Sequence, residues 1–337
     1  MTTRIAVIGA TGYTALELLK ILARHPDAEV IVATSRQEDK LSLQDVHPAL
    51  TNSFDLPLTQ LDVETIGSTV DFAFSCLPHA ASANTVVGLM RSGSKVVDFS
   101  ADYRLNDAAV YEKWYGVTHP DKERLGTVPY GLPEYYRDDI RDANLVANPG
   151  CYPTSAILAL TPLLKGKLIS PRDIIVNSMS GVSGAGRNTN PAFQYCVANE
   201  SVKAYGVGTH RHAPEISQYC TSAAGQDCAV LFTPHLVPMH RGIFTTCYVR
   251  PSDGVSVDDA LSALQDAYLG ERFVRVVNHP VETKNVSNTN YCDLAVYESG
   301  ERLVVVSAID NLIKGAAGAA VQNFNLMCGY DEATALL

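Results

Sequence analysis

Residues 4–8, Arg-Ile-Ala-Val-Ile, form a short apolar, β-branched run that ends at Gly9-Ala-Thr-Gly12-Tyr-Thr-Ala15 and resumes with leucines at helical spacing, Leu16, Leu18, Leu19 and Leu22. A strand that turns this tightly into a helix commits the chain early, because the next strand is then reached by a crossover and lies parallel to the first. The alternation continues. Glu29-Val-Ile-Val-Ala-Thr34, the run around Val70–Leu77 and Lys95-Val-Val-Asp-Phe-Ser100 have strand texture, Leu145-Val-Ala147 ends a further strand, and Ala80–Arg91 reads as a helix. Short apolar strands alternating with helices predict an α/β fold on a Rossmann-type, doubly wound parallel sheet.

Beyond residue 150 the texture changes. Ile174–Met179, Ala229–Thr233, Ile243–Arg250, Arg272–Val277 and Leu303–Ile309 read as strands separated by loops, with one clear helix at Val257–Leu269. This pattern predicts a second, α+β domain with a mixed or antiparallel sheet. The tail, Asn311–Met327, is a small-residue helix whose close-packing face suits a return to the first domain. At 337 residues the chain is too long for one ordinary core, so two domains are expected.

Charge and apolar patterning narrow the partners. A formal net charge of -10 leaves no basic face for neutralising phosphates, which excludes a nucleic-acid ligand but not a small anion held by a few arginines. No apolar run approaches the roughly 18 residues of a membrane span, and the first residues lack the long apolar core of a signal peptide, so a cytosolic location is expected. The eight cysteines show no paired spacing, and most are expected to be small buried hydrophobes.

One cysteine stands apart. In Leu145-Val-Ala-Asn-Pro-Gly-Cys151-Tyr-Pro-Thr-Ser a strand ends, Asn-Pro-Gly turns, and Cys151 falls on the first positions of a helix running through Leu160. Exposed amides at that place stabilise an anion, so the thiol should be available as thiolate and act as a nucleophile. Its proton acceptor should be a histidine, and Thr209-His210-Arg211-His212-Ala-Pro-Glu215 is the densest site. One histidine there suits titration against the thiol, and the arginine suits a substrate carboxylate or phosphate. The rival reading is a metal centre of His210 and His212 with Glu215, His235 or His240, although no second compact cluster completes one.

The glycine turn, Gly9-Ala-Thr-Gly12, sits where a pyrophosphate meets a helix start. The second strand ends in Ala33-Thr34-Ser35-Arg36 with no acid at its tip, a hydroxyl and a cation that suit the 2'-phosphate of NADP. Asp98-Phe-Ser-Ala-Asp-Tyr-Arg104 follows a strand at the ligand-binding edge, where Arg104 could grip an anionic substrate. Ser178–Arg187 is a glycine- and serine-rich loop able to bring amides against a ligand. Thr118–Glu134 reads as a rigid surface loop rather than a site.

Taken together, Asn148-Pro-Gly-Cys-Tyr-Pro-Thr154, Gly9-Ala-Thr-Gly12, Asp98–Arg104, Ser180–Arg187, His210–Glu215 and Asn311-Leu-Ile-Lys-Gly-Ala-Ala-Gly318 closely resemble the N-acetyl-γ-glutamyl-phosphate reductase family, whose architecture aspartate-semialdehyde dehydrogenases share. The matches run in order from residue 4 to about 325. The resemblance implies NADPH-dependent reductive dephosphorylation of N-acetylglutamyl 5-phosphate to the semialdehyde, through a thioester, in arginine biosynthesis. It carries the nucleophile onto Cys151 and acid/base work onto His212. It implies NADP contacts from Gly9, Ala10, Thr11, Gly12, Tyr13, Thr14, Ser35, Arg36, Leu77, Pro78, Ser183, Gly184 and Asn311, and substrate contacts from Arg104, Asn148, His210 and Arg211, with no metal. It implies an NADP domain of 1–149 plus 312–337, a catalytic and oligomerisation domain of 150–311, and a dimer or tetramer. Alternatives are an aspartate-semialdehyde dehydrogenase-like enzyme, a reductase of carrier-linked acyl phosphates, and a non-enzymatic NADP sensor with a silent thiol. Two positions depart from the family pattern: Ala80 follows His79 where glycine is usual, and Ser155 follows Thr154 where glycine or alanine is usual.

Overall fold

The computed structural model describes residues 2–36, 41–187 and 189–337. The chain divides into two compact units, Met1–Pro149 with Ala316–Leu337, and Gly150–Gly315.

The first unit is built on six strands, β1 (Thr3–Ile8), β2 (Ala28–Thr34), β3 (Leu58–Thr59), β4 (Phe72–Ser75), β5 (Lys95–Asp98) and β6 (Leu145–Ala147). They lie in the order β3-β2-β1-β4-β5-β6, every pair parallel. The order reverses beside β1, which places the carboxyl ends of β1 and β4 at the switch point where such sheets take ligands. Helices Tyr13–Leu22 and Ala83–Arg91 follow β1 and β4. Ile5, Ala6, Val7 and Ile8 are all fully buried, the continuous apolar run of a strand covered on both faces. The C-terminal helix, Gly318–Cys328, lays Phe324 against Phe72 and Phe74, with ring centroids 4.8 and 5.6 Å apart.

The second unit carries seven strands: β7 (Ile174–Ser180), β8 (Lys203–Ala204), β9 (Val230–Leu236), β10 (Ile243–Val249), β11 (Val274–Val276), β12 (Cys292–Ser299) and β13 (Arg302–Ile309). Their order is β11-β12-β13-β10-β7-β9-β8, with β11 parallel to β12, β7 parallel to β9 and the other pairs antiparallel. Helix Cys151–Lys165 lies on β10 and β13. From Tyr152 to Leu164 every one of its residues is buried, so it is a core helix rather than an amphipathic one.

Several elements depart from the sequence reading. Strand β12 was not expected; its Asp293 interrupts the apolar run, yet that carboxylate is fully buried and receives Arg275 Nε at 2.6 Å. The segment 118–134 is only in part a surface loop: the N–H of Gly131 donates to Ala147 O, the N–H of Ala147 donates to Pro129 O, and Tyr130 and Leu132 are buried. A helix, Pro133–Asp142, follows it. The tail begins with a π-helical turn, Ile313–Ala317, before the regular helix. Among the described residues no helix is long and apolar enough to cross a membrane.

Candidate active site

Gly150 is the N-cap of helix Cys151–Lys165, with φ of -69° and ψ of 150°, and Cys151 is its first helical residue. The first-turn amides of a helix have no intrahelical acceptors, so the thiol sits in the positive end of the helix dipole. Pro153 is tolerated at the third position because its missing N–H would have gone unused. The Gly150 N–H donates to Glu215 Oε1 at 2.9 Å, and Glu215 is 1% exposed. A carboxylate 65 residues away thus fixes the turn that presents the Cys151 thiol. The approach is close on the other side as well: a methyl group on Gly315 would come within 2.8 Å of Cys151 Cβ.

Glu215 belongs to helix His212–Ala224, which packs on the Cys151 helix. This helix was not expected from the sequence: a carboxyl, Glu215, opens its buried stripe ahead of Ile216, Tyr219 and Cys220. His212 is its first residue. The His212 N–H donates to His210 Nδ1 at 3.1 Å, so the ring proton of neutral His210 lies on Nε2. The two imidazoles are 4.9 Å apart, and Tyr152 contacts both edge-on, at 5.5 and 5.8 Å. Tyr205 and Phe232 close the box around His210 at 5.4 and 5.5 Å. Burial, and then the neighbouring Arg211 charge, push the His210 pKa down to about 4, so this imidazole is neutral near pH 7. The Tyr152 and Tyr205 hydroxyls share a hydrogen bond of 2.8 Å, and burial raises the Tyr205 phenol to about 12. Tyr152, next in sequence to Cys151, is the aromatic wall against which both histidines stand.

Ser155, one of the two departures, fits its place. Its hydroxyl donates to Tyr152 O at 2.9 Å and shares a hydrogen bond of 2.7 Å with Thr245, which shares another with Ser178. Ser183 and Asn311 meet each other: Asn311 Nδ2 donates to Ser183 Oγ at 3.0 Å, and Asn311 Oδ1 accepts from the Gly242 N–H at 2.7 Å. Gly184 lies beside them, where an added methyl group would come 3.0 Å from Ser180 Oγ. Among the described residues no group of three or more His, Cys, Asp or Glu side chains is placed to hold a metal ion.

In the first unit the glycine turn is held from behind. The Gly9 N–H donates to Thr34 Oγ1 at 3.0 Å and the Ala10 N–H to Thr34 O at 2.8 Å. Gly9 has φ of 80°, and a methyl group there would meet Cys76 O at 3.1 Å and Leu77 at 3.3 Å. The space in front is open: nothing lies within 4 Å of where a Gly12 Cβ would stand, and Tyr13 and Thr14 form the first turn of the helix. At the end of β2, Ser35 is buried and Arg36 is exposed. A hydroxyl and a cation at this edge suit an anion with an additional phosphate, as NADP carries.

The loops after β4 and β5 are built as one. Asp98, pushed up to about 6 by burial, accepts from the Ser82 and Ser100 hydroxyls at 2.7 and 2.6 Å. Asp102 accepts the N–H groups of Ala80, Ser82 and Ala83 at 2.7, 3.0 and 3.0 Å, which fixes the turn after Leu77 and Pro78. Ala80 has φ of 62°, the left-handed region, which is the physical reason that glycine suits this position. Arg104 is only 4% exposed; its Nε donates to Asn148 O and its Nη2 to Phe99 O, both at 2.7 Å. Asn148 in turn donates to Ala316 O at 3.0 Å and accepts from Asn323 Nδ2 at 3.2 Å. Both side chains thus serve the wall at the end of β6. Asp102, Tyr152 and Tyr205, which the sequence did not single out, and Glu215, which it offered only as a metal ligand, share one property: each acts through a partner distant in the chain.

Comparison with known proteins bears on both units. Residues 4–143 match the family described as semialdehyde dehydrogenase, NAD binding domain, and residues 151–311 match semialdehyde dehydrogenase, dimerisation domain. The N-acetyl-gamma-glutamyl-phosphate reductase of Rhodopirellula baltica is 52% identical over 99% of this chain and 98% of its own. That of Syntrophobacter fumaroxidans is 47% identical over 98% of this chain and 96% of its own. Among solved structures, aspartate semialdehyde dehydrogenase with NADP from Candida albicans superposes with a TM-score of 0.74 at 15% identity, covering 97% of this chain and 99% of that one. Aspartate semialdehyde dehydrogenase II of Vibrio cholerae gives 0.72 at 17% identity, covering 98% of this chain and 99% of that one. At these identities the structural likeness speaks for the fold.

Proposed function

The chain belongs to the N-acetyl-gamma-glutamyl-phosphate reductase family of semialdehyde dehydrogenases, and on that premise we propose how its residues carry the reaction. The reaction takes N-acetyl-L-glutamyl 5-phosphate, NADPH and a proton to the 5-semialdehyde, NADP and phosphate, a step of arginine biosynthesis. The observation that carries the reading is Cys151 at its helix start, with Glu215 holding Gly150 and Tyr152 linking the thiol's turn to His210 and His212.

Cys151 Sγ attacks the acyl carbon of the phosphate anhydride; the C–O bond to phosphate breaks, and phosphate leaves with the electron pair. The product on the enzyme is a thioester. The Gly9–Thr14 turn, with Ser35 and Arg36 for the 2'-phosphate, would hold NADPH, which would supply the hydride that reduces this acyl group. The resulting thiohemiacetal collapses: the C–S bond breaks, the aldehyde forms, and the thiolate returns to Cys151. His212 takes the thiol proton at the start and manages the proton on oxygen at the end. His210, neutral and with its proton on Nε2, is a hydrogen-bond donor to substrate rather than the base. Arg211 offers a positive charge beside it for the substrate's anionic groups. Arg104 and Asn148, whose polar atoms are engaged by the backbone and by Asn323, position the end of β6. The amides of the first helical turn at Cys151 stabilise the oxyanion.

A second copy of this chain is the proposed partner of the open face of the second sheet. Tyr297, Val304, Tyr248, Ile175 and Leu231 form one cross-strand row on that face, and Tyr297 and Leu231 are 45% and 57% exposed. The match of residues 151–311 to a dimerisation module supports the choice of occupant.

The test is the reverse assay with NADP, phosphate and either N-acetylglutamate semialdehyde or aspartate semialdehyde, run on the native chain and on Cys151→Ser. The acetylated semialdehyde should be the substrate, and Cys151→Ser should bind NADPH but lose essentially all turnover. Preference for aspartate semialdehyde, or substantial turnover by the variant, overturns the assignment.

A further inference from the structure

The Ala10 peptide is held by a residue that neither the motif nor the family match singles out. His47 is 1% exposed, and its Nε2 donates to the Ala10 carbonyl at 2.8 Å. It is seated by its own small frame: the His47 N–H donates to Leu43 O and the Leu50 N–H to His47 O, both at 2.8 Å, while Leu43 and Leu50 are buried. On the other side of the same residue the Ala10 N–H is given to Thr34 O. The consequence follows from peptide planarity. In a trans peptide the C=O and the next N–H point in opposite directions, so drawing the Ala10 carbonyl inward turns the Thr11 N–H outward, away from His47. That is the direction in which a helix-start anion site needs its donors.

We propose that His47 is a positioning residue for the dinucleotide: by holding the Ala10 carbonyl it aims the Thr11 amide at the pyrophosphate before NADPH arrives. The assignment rests on the reading of Gly9–Thr14 as the cofactor turn. Histidine suits the task because a ring N–H reaches the carbonyl from a short, stiff side chain.

The experiment compares His47→Ala, His47→Gln and Gly12→Asp by steady-state kinetics and by NADPH binding to the full chain. His47→Ala should raise the KM for NADPH about tenfold, the effect of about 1.4 kcal/mol in binding, with kcat changed less than twofold. His47→Gln, whose amide N–H can reach the same carbonyl, should recover most of the loss, and it remains informative if the alanine variant fails to fold. An unchanged KM in His47→Ala, or a glutamine variant as impaired as the alanine one, overturns the role of His47. Gly12→Asp separates the two readings: it should abolish NADPH binding. If Gly12→Asp binds NADPH normally, the cofactor turn itself is misassigned and the role of His47 falls with it. If only Gly12→Asp is impaired, the turn stands and His47 alone is overturned.

Discussion

Gly315 and Ala80 show how much rests on single backbone positions. Gly315 needs no left-handed conformation; what it needs is space, because an added methyl group would stand 2.8 Å from Cys151 Cβ and 3.3 Å from Asp310 O. Gly315→Ala should therefore displace the Cys151 thiol. A shift of the order of 1 Å is expected to lower kcat by about 100-fold while leaving NADPH affinity intact, and the rate of Cys151 alkylation should change in parallel. Equal kcat in the variant would show that the turn yields without moving the thiol. Ala80 presents the opposite case, a side chain where the backbone prefers none, held at φ of 62° by the Asp102 carboxylate on its N–H. The sequence alone marked Ala80 as a departure from a family pattern; the dihedral angle gives that departure a cause. The place of Cys151 at a helix start was legible from local chemistry, since Asn-Pro-Gly turns the chain directly before a helical run. Glu215 was not, because a carboxylate becomes the anchor of Gly150 only after 65 residues have folded back.

Among the elements, helix Ala83–Arg91 illustrates a cap supplied from outside. Its N-cap residue is Ser82, the residue type that ordinarily caps with its own oxygen, yet no such bond forms. The Ser82 hydroxyl is given to Asp98 at 2.7 Å, and the helix start is satisfied instead by Asp102. Asp102→Asn keeps the volume but puts an amide donor in place of one carboxylate oxygen, facing either the Ser82 and Ala83 N–H groups or the Ala80 N–H and the Tyr111 hydroxyl. The substitution should cost about 2–3 kcal/mol, as an unsatisfied buried group does, read as a lower denaturant midpoint at an unchanged slope. An unmoved midpoint would mean that the helix start holds without this carboxylate. The same principle explains the elements that were hard to read. Helix His212–Ala224 buries Glu215 and strand β12 buries Asp293, so a period counted on apolar residues misses both. Strands β1, β4 and β6 were easy for the converse reason, being short apolar runs buried almost throughout, whereas the two partly exposed residues of β3 were not expected.

For the whole molecule, the second unit's sheet has one face covered by helix Cys151–Lys165 and another that leaves Leu231, Met179 and Tyr297 open. With a second copy seated there, Leu231→Glu should convert the oligomer to a smaller species by light scattering at micromolar concentration, because an unpaired charge in a buried apolar interface is not tolerated. A mass equal to that of the native chain would remove this face as the interface. The sequence by itself determined the alternation of strands and helices, the glycine turn, the placement of Cys151 at a helix start and the resemblance that these motifs carry, since each is written in contiguous residues whose period and turn chemistry are local. Only the tertiary structure decided which polar groups complete the sites: Glu215 on Gly150, Asp102 on the helix start, His47 on Ala10, Tyr152 against the histidines. A buried donor or acceptor must find a partner once water is gone, and that partner is chosen by packing rather than by distance along the chain.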